Sequence, residues 1–267
     1  MRFLSSRRRH PAAKVLLLVA ALFAVGALYA AVAPTEQSSA SPNTSQQVQE
    51  GKELFSVNCS SCHGLNGEGT SQGPTLVGVG AAAVDFQVAT GRMPLSQPGQ
   101  QAPVKPAIFS DQEVAALAAY VATLGPGPDI PARSKYSGEG LTDEQIAQGG
   151  ELFRTNCSAC HNFTGQGGAL PQGKQAPSLE KTSDKHIYEA MLTGPQQMPV
   201  FSDQVMTPQD KKEIIGYLNA IRSRPNDGGL SLGGLGPVTE GIVGWAIGIG
   251  CLIGFCIWIT ARGARAR

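Results

Sequence analysis

Five residues occur twice in this chain of 267: Cys59-Ser60-Ser61-Cys62-His63 and Cys157-Ser158-Ala159-Cys160-His161. Two cysteines three apart on a helical turn face the same side. C-x-x-C-H is the attachment signature of c-type haem, in which both thiols reach the two vinyl groups of one porphyrin and the next residue, histidine, meets the iron from that face. A bare C-x-x-C would also suit a redox dithiol or half a zinc site. The trailing histidine, present in both copies, argues against those readings. The spacing predicts two covalently bound haem c groups, one on Cys59 and Cys62 and one on Cys157 and Cys160, with His63 and His161 as axial ligands to iron.

The motif belongs to a longer repeat. Gly51-Lys52-Glu53-Leu54-Phe55 precedes the first copy and Gly149-Gly150-Glu151-Leu152-Phe153 the second. The offset of 98 residues also carries Asn58 onto Asn156 and Gly67 onto Gly165. That period is a duplicated domain rather than a solenoid unit. After each histidine comes a Gly-rich loop and a proline-led phrase, Gly73-Pro74-Thr75-Leu76 or Ala176-Pro177-Ser178-Leu179. A short helical stretch follows, ending in Thr90-Gly91-Arg92-Met93-Pro94 or in Thr193-Gly194-Pro195-Gln196-Gln197-Met198-Pro199. Each copy closes on an amphipathic helix. The first runs from Ser110 to Leu124 with Val114, Leu117, Tyr120 and Val121 at helical spacing, and the second from Thr207 to Arg222 with Ile214, Tyr217, Leu218 and Ile221.

A six-coordinate haem c needs a further axial ligand, and methionine is typical. Met93 is the only methionine between the first motif and the Pro/Gly-rich boundary at 125–140. In the second copy Met191, Met198 and Met206 compete, and Met198 is chosen because Thr-Gly followed by Met-Pro matches the first copy. Met191 lies within a helical stretch and reads as core. His186 is an alternative to Met198, although a surface or core histidine needs no such role. The carbonyls of Pro74 and Pro177 are candidates to accept the ring proton of each proximal histidine. Tyr120 and Tyr217 read as packing residues against Leu54/Phe55 and Leu152/Phe153.

The formal net charge of +1 hides an asymmetry. Arg2, Arg7, Arg8, Arg9 and Lys14 crowd one end and Arg262, Arg265 and Arg267 the other, while the stretch between is mildly acidic. A nucleic-acid binder would carry a basic face on its folded domain, so no nucleic acid is expected. Cationic ends suit a membrane protein. Residues 15–33 are apolar or small, and at a rise of about 1.5 Å per residue they just cross a hydrocarbon core of about 30 Å. They are a retained anchor, or a signal cleaved near Ala31-Val32-Ala33. Residues 242–260 form a second apolar run long enough to span. Cys251 and Cys256 lie within it as small apolar filler. Arginines outside each run stay in the cytoplasm, which places everything between on the other side. The expected division is a basic cytoplasmic N-terminus (1–14), anchor or signal (15–33), linker (34–48), first haem domain (49–125), linker (126–140), second haem domain (141–224), linker (225–241), transmembrane helix (242–260) and basic cytoplasmic tail (261–267).

Each copy resembles a class I cytochrome c domain, with its Gly/Phe helix, C-x-x-C-H, Pro-x-Leu loop, Met-Pro loop and closing aromatic helix. Two such domains between an apolar N-terminal segment and a C-terminal anchor resemble the dihaem cytochrome c subunit of actinobacterial quinol–cytochrome c reductase, the cytochrome bc complex. The resemblance covers essentially the whole chain. It implies a mainly α fold of two tandem class I cytochrome c domains plus N-terminal and C-terminal transmembrane helices in the cell membrane, multi-pass, or single-pass if the first segment is cleaved. It also implies electron passage from a Rieske iron–sulfur partner through two haems c to a terminal cytochrome c oxidase. Cytochrome b, the Rieske subunit, the oxidase and membrane lipid would be partners, and the chain would serve an enzyme only as a subunit of the reductase. The alternative is a membrane-anchored dihaem electron carrier for another dehydrogenase or oxidase. A dihaem peroxidase needs an open iron position, which methionine candidates for both irons argue against.

Overall fold

The computed structural model describes residues 11–32, 45–97, 99, 101–224 and 237–265. Most of the expected basic N-terminus (1–10), most of the first linker, residues 225–236 of the connector before the last span, and residues 266–267 lie outside the described residues. The chain divides into two compact units, Met1–Ser39 and Ala40–Arg267. The described part of the first is helix α1, Pro11–Val32. Leu16, Leu17, Leu22 and Phe23 on it are all exposed, as on a helix that is apolar all round. Among its described residues the apolar stretch is Lys14–Ala27.

In the second unit each sequence copy folds the same way. Helix α2 (Ser45–Asn58) starts inside the stretch expected as a tether and leads into the single-turn α3 (Ser60–His63). Helices α4 (Ala81–Ala89) and α5 (Asp111–Ala122) complete the first copy. A short α6 (Arg133–Tyr136) interrupts the expected linker. The second copy repeats the plan with α7 (Asp143–Asn156), the single-turn α8 (Ser158–His161), α9 (Asp184–Thr193) and α10 (Pro208–Arg222). It adds one feature absent from the sequence expectation. In the loop after α8, strands β1 (Gly168–Ala169) and β2 (Gln175–Ala176) pair antiparallel, Gly168 opposite Ala176.

The closing helices start where their chemistry dictates. Ser110 and Thr207 each accept from a backbone N–H three residues on, and the side chains of Glu113 and Asp210 reach back to the capping residue. Such a reciprocal cap satisfies two of the orphan donors of a first turn. In both copies the first helix crosses the last at very short range. A Cβ on Gly51 would collide with the Ala116 carbonyl, and one on Gly149 with that of Glu213. This approach explains why the repeated phrase begins with glycine. It brings Phe55 against Tyr120, ring centroids 5.2 Å apart, and Phe153 against Tyr217 at 5.6 Å. The tyrosines are packing residues, as expected. Phe55, Val84, Val88, Leu117 and Val121 centre the first core; Phe153, Tyr188, Met191, Ile214 and Leu218 centre the second.

Helix α11 (Pro237–Arg265) ends the described chain. Its segment Gly244–Arg262 is long and apolar enough to cross a membrane. Trp245 and Trp258 stand near the two ends of that segment, and the Arg262 guanidinium lies 4.3 Å from the Trp258 ring centroid. Tryptophan with a flanking arginine is the pattern of a membrane–water boundary. Cys251 and Cys256 are free and exposed on this helix.

Candidate functional site

Each C-x-x-C-H forms a tight turn against the end of the preceding helix. The N–H groups of Cys62 and His63 donate to the Cys59 carbonyl at 3.2 and 3.0 Å, and those of Cys160 and His161 to the Cys157 carbonyl at 3.2 and 2.9 Å. The turn therefore presents both sulfurs of a pair from one place. His63 Nδ1–H donates to the Pro74 carbonyl at 2.8 Å, and His161 Nδ1–H to that of Pro177 at 3.1 Å. A carbonyl can only accept, so the proton sits on Nδ1 and the Nε2 lone pair is left for a metal. Burial pushes His161 below its ordinary value, toward the neutral form, against the opposing pull of the Pro177 carbonyl.

Before any haem is attached, burial, and then the neighbouring cysteine, pushes Cys59 and Cys157 each up to about 11. A thiol held protonated is a weak redox nucleophile.

The structure also sorts the methionines. Cys59 and Met93 pack against the same first core, and Cys157 and Met198 against the second. In the second copy a cavity of about 300 Å³ is lined by Cys157, Cys160, His161, Pro177, Met191 and Met198 with Phe153, Phe201, Ile214 and Leu218. Met206 is buried away from this cavity, and Met191 borders it from within α9. Met198 reaches it from a loop that leaves α9 through Gly194, whose left-handed backbone closes the helix. Two thiols, an imidazole with Nε2 free, and a thioether around an apolar cavity are the donor set and surroundings that haem c requires.

The two sites share a wall. Arg92, beside Met93 in the first copy, is nearly buried, stacks 4.6 Å from the Phe86 centroid and lines the second copy's cavity together with Gln101 and Ala102. Gln101 Nε2 donates to the Gln175 carbonyl at 2.5 Å, and the Gln175 N–H donates to Gln101 Oε1 at 3.0 Å.

Sequence reasoning missed a polar cluster where α4 meets α9. Lys185 Nζ lies 2.7 Å and His186 Nε2 3.6 Å from Asp85 Oδ2, with Glu189 alongside. Burial by itself raises Asp85, but His186, Lys185 and Glu189 outweigh it and bring it down to about 2. His186 also lines the second cavity. A glutamate amid Ile187, Tyr188 and Met191 is a signal in the sequence, yet its partner Asp85 belongs to the other copy.

The profile of the Cytochrome c family matches residues 48–125, and that of Cytochrome C oxidase, cbb3-type, subunit III matches residues 144–218. The chain is 43% identical over 267 residues to the cytochrome bc1 complex cytochrome c subunit of Corynebacterium diphtheriae, covering 95% of each chain. It is 44% identical to the subunit of that name in Mycobacterium leprae, over 92% of this chain and 87% of the relative. In Mycobacterium tuberculosis the identity is also 44%, over 96% and 92%. The chain therefore holds two cytochrome c domains, and its cofactors are two haem c groups.

Proposed function

Because the chain belongs to the family of cytochrome bc1 complex cytochrome c subunits, we propose that it carries electrons from a Rieske iron–sulfur partner to a terminal cytochrome c oxidase, within a membrane-bound quinol–cytochrome c reductase. The observation that supports this reading is the shared wall: within one compact unit Arg92, next to Met93 of the first copy, borders the cavity of the second. Haem c, when bound, supplies an iron that accepts and returns a single electron.

The chain's own residues set the terms. Cys59, Cys62, Cys157 and Cys160 would hold the two groups covalently, and His63 and Met93 in the first copy and His161 and Met198 in the second would offer an imidazole and a thioether to each iron. The Pro74 and Pro177 carbonyls fix each imidazole plane and raise its basicity. Thioether ligation raises the potential relative to a second imidazole. Residues 49–125 and 141–224 form the two haem domains, held on the extracytoplasmic side by α11 and, where α1 is retained, by a second span. Cytochrome b is the further membrane partner. Tethering replaces a diffusing carrier by a high effective concentration.

Purification of the tagged chain in mild detergent tests this. Haem b and haem a bands beside the c band, with quinol-driven oxygen consumption, are expected. A c band alone would point to a solitary dihaem carrier serving another enzyme.

A further inference from the structure

The cluster between α4 and α9 lacks something. Glu189 is 0% exposed and Asp85 6%. Among the described residues, neither Glu189 oxygen has a hydrogen-bond partner, and neither does His186 Nε2. Burying a polar group without partners is costly, so such groups in native proteins point to an ion or water that satisfies them. Lys185 pairs with Asp85, and no ion pair reaches Glu189 among the described residues.

We propose that Asp85, His186 and Glu189 form a site for a divalent transition cation of the zinc class, joining the first haem domain to the second. One ligand atom from each of the three residues lies within 4.8 Å of the others. His186 and Glu189 are three apart on α9 and share a face; Asp85 faces them from α4. Two carboxylates and a neutral imidazole balance a dication and match the ligands zinc accepts, with a fourth position for water. Calcium and magnesium want six or more oxygens and tolerate imidazole poorly. The ring of His186 is already held, edge to face against Phe86 with centroids 6.2 Å apart. Its backbone N–H donates to the Ser183 hydroxyl that caps α9. Lys185 is the internal competitor. Its side chain is 32% exposed, so its ammonium can withdraw to water on its four-carbon stem as the cation enters.

The test uses the full chain with both haems attached, in mild detergent, with Cys251 and Cys256 alkylated to remove a rival zinc sink. After treatment with EDTA and dialysis against buffered micromolar zinc at neutral pH, bound metal is counted by mass spectrometry. One zinc per chain is expected. His186→Gln and Glu189→Gln should each weaken binding by about tenfold or more, Glu189→Gln with the c-type spectrum unchanged, and Lys185→Gln should tighten it. No bound zinc in the wild-type chain, or binding undiminished in both ligand variants, overturns the site. If a ligand variant fails to assemble, Lys185→Gln decides: tighter binding supports the site, and unchanged or weaker binding contradicts it.

Discussion

With His63 and His161 each oriented by a backbone carbonyl, methionine is the adjustable ligand in the proposed assignment. Met93→His should leave the first haem attached but lower its potential, because imidazole replaces thioether. A redox titration in which that haem does not move would contradict the assignment. Glu189 gives a second expectation at this scale. Burial, and then the charge of Asp85, pushes it up to about 9 in the folded, zinc-free chain, against an ordinary value of about 4.3. Between these limits the folded chain holds a proton that the unfolded chain has lost, so this residue's contribution to stability falls as pH rises through the window. Denaturant titrations in EDTA should show Glu189→Gln flattening that fall; a steeper fall in the variant would contradict it. The two C-x-x-C-H turns and the carbonyls beside their histidines were legible in the sequence because the motif is a local spacing that repeats. Choosing Met198 over Met206 needed only the repeated Met-Pro phrase, and the structure adds that Met206 is buried away from the cavity. Asp85 and Glu189 were not legible as a pair, since nothing local reports a contact between copies.

The crossing of first and last helix is the element on which each haem domain depends. Gly149→Ala drives a methyl group into the Glu213 carbonyl and should cost about 1–3 kcal/mol by overpacking, read as a lower denaturation midpoint. No loss of stability would mean that the helices can part without penalty. The amphipathic closing helices and their caps could be read from Ser110 and Thr207. The reason for glycine in the repeated phrase could not, because close approach is a property of two helices and the phrase describes one. The β1–β2 pairing was hidden for a similar reason: two residues per strand carry no periodicity.

On the scale of the whole molecule, two haem domains precede one described helix fit to span a membrane, and their contact through Arg92, Gln101 and Gln175 could not be read from a linear repeat. Cys160→Ala should impair attachment of the second haem only, halving the c-type signal per chain. Equal loss from both sites would mean that the two copies assemble as one unit. The most direct measurement is quinol-driven reduction of the c band in native membranes with the terminal oxidase inhibited. Two haems c per chain should become reduced in the wild-type protein, and Cys160→Ala should abolish electron delivery to oxygen once the inhibitor is absent. A c band that stays oxidised while quinol is supplied would contradict a place for this chain in quinol oxidation.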